Sequence, residues 1–141
     1  MALSLQEKLH RGGRLPSSEA VLLGRARLLA RLDADLIEAV VVRGQPTRVV
    51  ARLMGLKARA VRDRVNRLVR RMASRSFIDA ARAMPCLPPA DAELAKLRFC
   101  EGHTQRGLCQ RLGLTSHELR RRLDRVTAQI ETISRMRSRG T

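Results

Sequence analysis

A chain of 141 residues with 29 Lys and Arg against 13 Asp and Glu has a net charge of +16, and a polyanion, nucleic acid first of all, is the partner that charge favours. No apolar run approaches the roughly 20 residues needed to span a bilayer, the longest being residues 36–42, which Glu38 interrupts, so a membrane partner is excluded. The aromatic residues are Phe77 and Phe99 alone, too few to hold single strands by base stacking, so double-stranded DNA is the expected partner.

In chain order, residues 1–14, which include Gly12-Gly13, read as a loosely held arm. Ser17 or Ser18 can cap a helix running to about Arg31, with Val21, Leu22, Leu28, Leu29 and Leu32 on a broad apolar side. Its plain role is to complete a small core, and its sharper one a homodimer contact. A helix over residues 33–42 follows, with Asp33 as N-cap and Gly44 as breaker. Residues 47–54 form a short helix, and Gly55 turns the chain where positive φ is required. On the longer helix after it, a 100° step gathers Val61, Val65, Leu68 and Met72 on one side and points Arg59, Arg62, Asp63, Asn66, Arg67 and Arg70 away.

Pro85, Pro88 and Pro89 mark a stiff linker over residues 83–90. Beyond it the same order returns: a helix over 91–101, Gly102, a short helix over 104–112, Gly113, and a last helix opened by the capping box Thr115-x-x-Glu118. Leu119, Leu123, Val126, Ile130 and Ile133 form its apolar stripe, leaving His117, Arg120, Arg121, Asp124 and Arg125 outward. Gly107, where a branched or Leu residue is usual, predicts a looser short helix, and the basic tail 135–141 is expected to be disordered.

The two halves are a gapless repeat with an offset of 58 residues. Gly44/Gly102, Arg48/Arg106, Gly55/Gly113, Leu56/Leu114, Arg62/Arg120, Arg64/Arg122 and Arg67/Arg125 are identical, and Ala51 and Cys109 are small at the position where two helices would cross. Two copies are too few for a solenoid. The expected fold is therefore all-α, two tandem helix-turn-helix domains joined by a Pro-containing linker: arm 1–14, N-terminal domain 15–84, and C-terminal domain 85–141 with a basic tail.

Little points to catalysis. His10, His103 and His117 have no carboxylate or cysteine partner at helical spacing, and no phosphate-cradling glycine motif occurs, so neither an enzyme nor a cofactor is expected. Cys86, Cys100, His103 and Cys109 match no standard structural zinc spacing, and reduced thiols are expected. With no leader pattern after Met1, the expected compartment is the cytoplasm.

Residues 47–56, Thr-Arg-Val-Val-Ala-Arg-Leu-Met-Gly-Leu, with 60–67, Ala-Val-Arg-Asp-Arg-Val-Asn-Arg, resemble the helix-turn-helix of region four of bacterial sigma factors, and residues 87–104 resemble the lead-in to that region. The first copy is also similar to KorA-type plasmid repressors, and the second, with Gly102-His103-Thr104 and Cys109, to PapB-type regulators of adhesin genes. The resemblance implies a transcription regulator acting at promoters, with Arg59, Arg62, Asp63, Asn66, Arg67, Arg70, His117, Arg120, Arg121 and Arg125 meeting phosphates or base edges. The alternative is an interaction module in which one copy binds RNA polymerase or another regulator. The first copy is the expected stronger DNA reader: residues 43–82 hold twelve basic and two acidic groups, and residues 102–139 nine and three.

Overall fold

The computed structural model describes residues 19–140; the expected arm and the Ser17 or Ser18 cap lie outside them. Among the described residues the fold is all-α, with eight helices and no strand: α1 (Glu19–Ala26), α2 (Arg31–Ile37), α3 (Thr47–Met54), α4 (Ala58–Met72), α5 (Arg75–Ala83), α6 (Pro89–Ala95), α7 (Gln105–Leu112) and α8 (Ser116–Arg139). α2 and α6 run on into π-helical turns, Glu38–Val42 and Lys96–Cys100, and a 3₁₀ turn, Met84–Cys86, leads from α5 to α6. No helix among the described residues is long and apolar enough to cross a membrane.

The chain divides into two compact units between Ala73 and Ser74, earlier than the expected boundary at 84/85. The reason is α5. Its Ser74 N-cap accepts from the Phe77 N–H, and Phe77, Ala80 and Ala83, spaced by three, form one fully buried face that packs on α8 and on the Lys96–Cys100 turn. The prolines are therefore internal to the second unit and no linker between domains. Pro85 sits in the 3₁₀ turn, Pro88 precedes α6, and Pro89 opens it, where a missing N–H costs nothing.

The repeat survives folding with its register intact. Under the 58-residue shift the bounds of α2, its π turn, α3 and the start of α4 fall on those of α6, its π turn, α7 and the start of α8. α1 and α5 overlap too, so each unit is a set of four helices. Both π turns close with a five-residue bond, Arg43 N–H to the Glu38 carbonyl at 2.9 Å and Glu101 N–H to the Lys96 carbonyl at 2.8 Å. Glycines at φ 67° and 79°, Gly44 and Gly102, then reverse the chain.

In the first unit Gly55, at φ 69°, ends α3. The Leu56 N–H donates to the Ala51 carbonyl (2.8 Å) and the Gly55 N–H to the Arg52 carbonyl (3.3 Å), the paired bonds by which a left-handed residue closes a helix. Gly113, at φ 66°, ends α7 likewise, with Leu114 N–H donating to the Cys109 carbonyl at 3.1 Å. Three residues then suffice to start the next helix. Val50, Ala51, Val61, Val65, Leu68 and Met72 are buried in the first unit with Leu22, Leu29, Leu36 and Ile37; Leu108, Leu119, Leu123, Val126 and Ile130 are buried in the second with Leu94, Ala95 and Leu97.

Several local expectations change. α1 stops at Ala26, and Leu28 and Leu29 follow in a turn whose N–H groups donate to Arg25 and Ala26. Leu22 and Leu29 are spent in the core of their own unit, while Val21 and Leu32 stay exposed. α2 begins two residues before Asp33, with Ala30 at the N-cap, so Asp33 stands in the first turn and is buried. The tail is helical as far as Arg139, tied by Arg137, which donates to the Arg82 carbonyl at 3.1 Å. Gly107 removes nothing from the core, since its counterpart Val49 is 44% exposed; its own N–H is capped by the Thr104 hydroxyl at 3.0 Å.

Candidate nucleic-acid interface

α4 is amphipathic because its apolar residues recur at three and four. Val61, Val65, Leu68, Val69 and Met72 are buried, and the side chains on the opposite side of the helix face solvent. Arg59, Arg62, Asp63, Asn66, Arg67 and Arg70, the six expected site residues of this copy, are all exposed. Ala60, Asp63, Asn66, Arg67 and Arg70 line one open groove along that side. The groove lining holds two arginines against one aspartate, and the helix as a whole six arginines against one, so this side is positive.

α8 repeats the geometry with different chemistry. His117, Arg120, Arg121 and Arg125 are exposed, as is Asp124, while Leu119, Leu123, Val126 and Ile130 are buried and Ile133 is half-buried. At matched positions Arg59 becomes His117, Asp63 becomes Arg121, Asn66 becomes Asp124 and Arg70 becomes Ala128; Arg62 and Arg120 agree. Over the stretch equivalent to α4, α8 has four arginines, one glutamate and one aspartate.

One feature of the site is missed by residue-type reasoning. Asp33 and Asp91, at the same repeat position, are 6% and 7% exposed, and each is neutralised by an arginine of the basic helix. Burying a carboxylate unpaired would be costly, so these bridges are required by the fold. In the first unit Arg64 Nε donates to Asp33 Oδ1 at 2.6 Å; in the second Arg125 Nη2 donates to Asp91 Oδ1 at 3.1 Å. Arg125, expected as a DNA contact, is thus held by Asp91. Its counterpart Arg67 and the unconsidered Arg122, counterpart of Arg64, have no such partner among the described residues. The signal was present in the sequence, since Asp33 and Asp91 are identical under the 58-residue shift.

The helix starts differ as well. Neither Pro46 nor Lys57 caps its helix with a side chain: in α3 the Val49 N–H donates instead to the Pro46 carbonyl at 3.0 Å, whereas in α4 the Ala60 N–H has no partner among the described residues and is open to an anion. In the second unit Thr104 caps α7, and Thr115 with Glu118 forms the expected capping box on α8. The third amide of each helix, Gly107 N–H and Glu118 N–H, is therefore occupied, and Glu118 adds a negative charge at the start of α8.

Of the sulfur groups, Cys100 is buried, Cys109 half-buried and Cys86 exposed, and among the described residues no three His, Cys, Asp or Glu side chains converge as a metal site. His103 Nε2 lies 3.3 Å from Glu101 Oε1, and Arg98 donates to the His103 carbonyl at 2.9 Å, so this histidine braces the turn around Gly102. Compared with known proteins, the chain matches no family model, no curated sequence and no solved structure.

Proposed function

We propose that this chain is a sequence-specific double-stranded DNA-binding transcription regulator, with α3–Gly55–α4 and α7–Gly113–α8 as two helix-turn-helix units that present α4 and α8 to the major groove. The observation that carries the reading is the exposed arginine face of α4, set on a helix that follows a tight left-handed turn and backed by uncapped amides at the start of α4. Such a helix supplies cations for phosphates and bidentate donors for guanine, while the amides fix the register on the backbone. The resemblance to sigma region four supports the same use.

A second reading has one specific support. Val49, Leu53, Met54 and Leu56 are exposed on α3 and the turn, Leu53 by 80%, and the second unit has Gly107, Arg111, Leu112 and Leu114 in their places. An apolar strip that Gly107 and Arg111 interrupt in the second copy suits a protein partner such as RNA polymerase or another regulator.

Fluorescence anisotropy of labelled duplexes, titrated with the whole chain at several salt concentrations, tests the proposal. Affinity should fall steeply, each phosphate contact adding about −0.9 to the log–log slope. Absence of duplex binding at low salt would refute it, and tight capture of purified RNA polymerase under those conditions would put the second reading in its place.

A further inference from the structure

The two units conserve a buried aspartate but not the arginine that answers it. Asp33 is held by Arg64, and Asp91 by the arginine one turn further along, Arg125, which corresponds to Arg67. Each unit thus ties one arginine of a matched pair to its aspartate and leaves the other with no ion pair among the described residues: Arg67 in the first, Arg122 in the second. Those two side chains are three positions apart in the repeat, about 4.5 Å along a helix axis, a little more than one base-pair step of about 3.4 Å. An arginine facing guanine from one unit would therefore address a neighbouring base pair from the other, even though both arginines are present in both units.

The remaining outward positions diverge in hydrogen-bonding type. Asn66 offers one acceptor and two donors, the pattern that fits adenine N7 and N6; Asp124, at the same position, only accepts and so fits the cytosine N4 amine. Asp63 and Arg121 are opposite in charge at one position. Arg62 and Arg120 are the constant pair, suited to the phosphate backbone, which is the same in every sequence.

Resting on the duplex-reading function proposed above, we infer that the two units read different base sequences, so that the duplex this chain selects is bipartite and asymmetric, with dissimilar halves. Asn66 and Asp124 are the specificity-determining residues of their respective halves. The bridges Asp33–Arg64 and Asp91–Arg125 decide which arginine in each is available to a base.

Selection of bound duplexes from a random-sequence pool by the whole chain, followed by sequencing, tests this directly. The expected product is a motif with two unlike halves. Asn66→Ala should flatten preference by about tenfold at one base pair in one half, and Asp124→Ala at one base pair in the other. Asn66→Asp should turn the adenine preference of its half toward cytosine. Both sites are exposed, and helical circular dichroism of each of the three variants verifies folding. Two copies of one half-site, direct or inverted, would overturn the inference while leaving duplex reading intact. Both substitutions acting on the same half, or neither on any, would overturn it too. A pool with no enriched duplex would instead bring down the underlying function, and this inference with it.

Discussion

A β-carbon added at Gly55 or Gly113 would meet no atom within 4 Å, so the barrier to a side chain there is the backbone conformation alone. Gly55→Val is expected to cost about 1–2 kcal/mol, the strain of a left-handed conformation for a branched residue, and to lower the melting temperature by about 4–8 °C per kcal/mol in a domain of this size. Gly55→Asn should cost less, because Asn adopts that conformation more readily. Equal melting of all three proteins would show that the position carries no strain. Glycine positions were legible because positive φ is a local demand that few residues meet. Asp33 was not: an aspartate ahead of an apolar run reads as an N-cap, and its actual partner, Arg64, lies 31 positions away. The pair gives an asymmetric expectation. Arg64→Ala strands a buried carboxylate and should cost about 1–3 kcal/mol, whereas adding Asp33→Ala removes the stranded charge and recovers part of the loss. Urea midpoints of the single and double variants decide it, and a double variant less stable than Arg64→Ala would rule out the bridge as the reason for conserving Asp33.

At the level of elements, the second, third and fourth helices of each unit were readable from apolar spacing, and their matched bounds follow from a repeat without gaps. α5 was overlooked because two of its three buried positions are Ala80 and Ala83, which carry little hydrophobic signal, and because three prolines downstream looked like a domain boundary. The extra length of α8 was overlooked for a related reason. Its last turns are basic and hold little apolar surface, and they are tied by a contact to Arg82, 55 residues earlier, that no periodicity reveals. The consequence is measurable. A fragment of residues 74–141 should melt cooperatively, and one of residues 85–141 should not, since deleting α5 removes Phe77, Ala80 and Ala83 from the core. Truncating one buried Phe costs about 3–5 kcal/mol, a large part of the 5–15 kcal/mol that holds a domain together. Cooperative melting of the shorter fragment would return the boundary to 84/85.

For the whole molecule, the net charge of +16 sets the pull toward DNA, and its uneven placement sets which unit grips harder. α4 carries six arginines against one acid and the equivalent part of α8 four against two; each helix spends one arginine on a buried aspartate, Arg64 on Asp33 and Arg125 on Asp91, so the imbalance persists. At the start of α4 the Ala60 N–H has no partner among the described residues, whereas its equivalent in α8, Glu118 N–H, is capped by Thr115. The two differences act in the same direction. Replacing Arg62 and Arg67 by Ala should therefore weaken duplex binding more than replacing Arg120 and Arg121, each lost base-edge contact being worth roughly 1–3 kcal/mol, and a lost phosphate contact reducing the salt slope by about one. Each of the four side chains is exposed, so both double variants should keep the helical circular dichroism of the parent. An anisotropy titration in which the Arg120/Arg121 variant loses as much affinity as the Arg62/Arg67 variant, or more, would refute this ranking: local charge and free amides would then not set the strength of each unit, and the second would read DNA at least as strongly as the first.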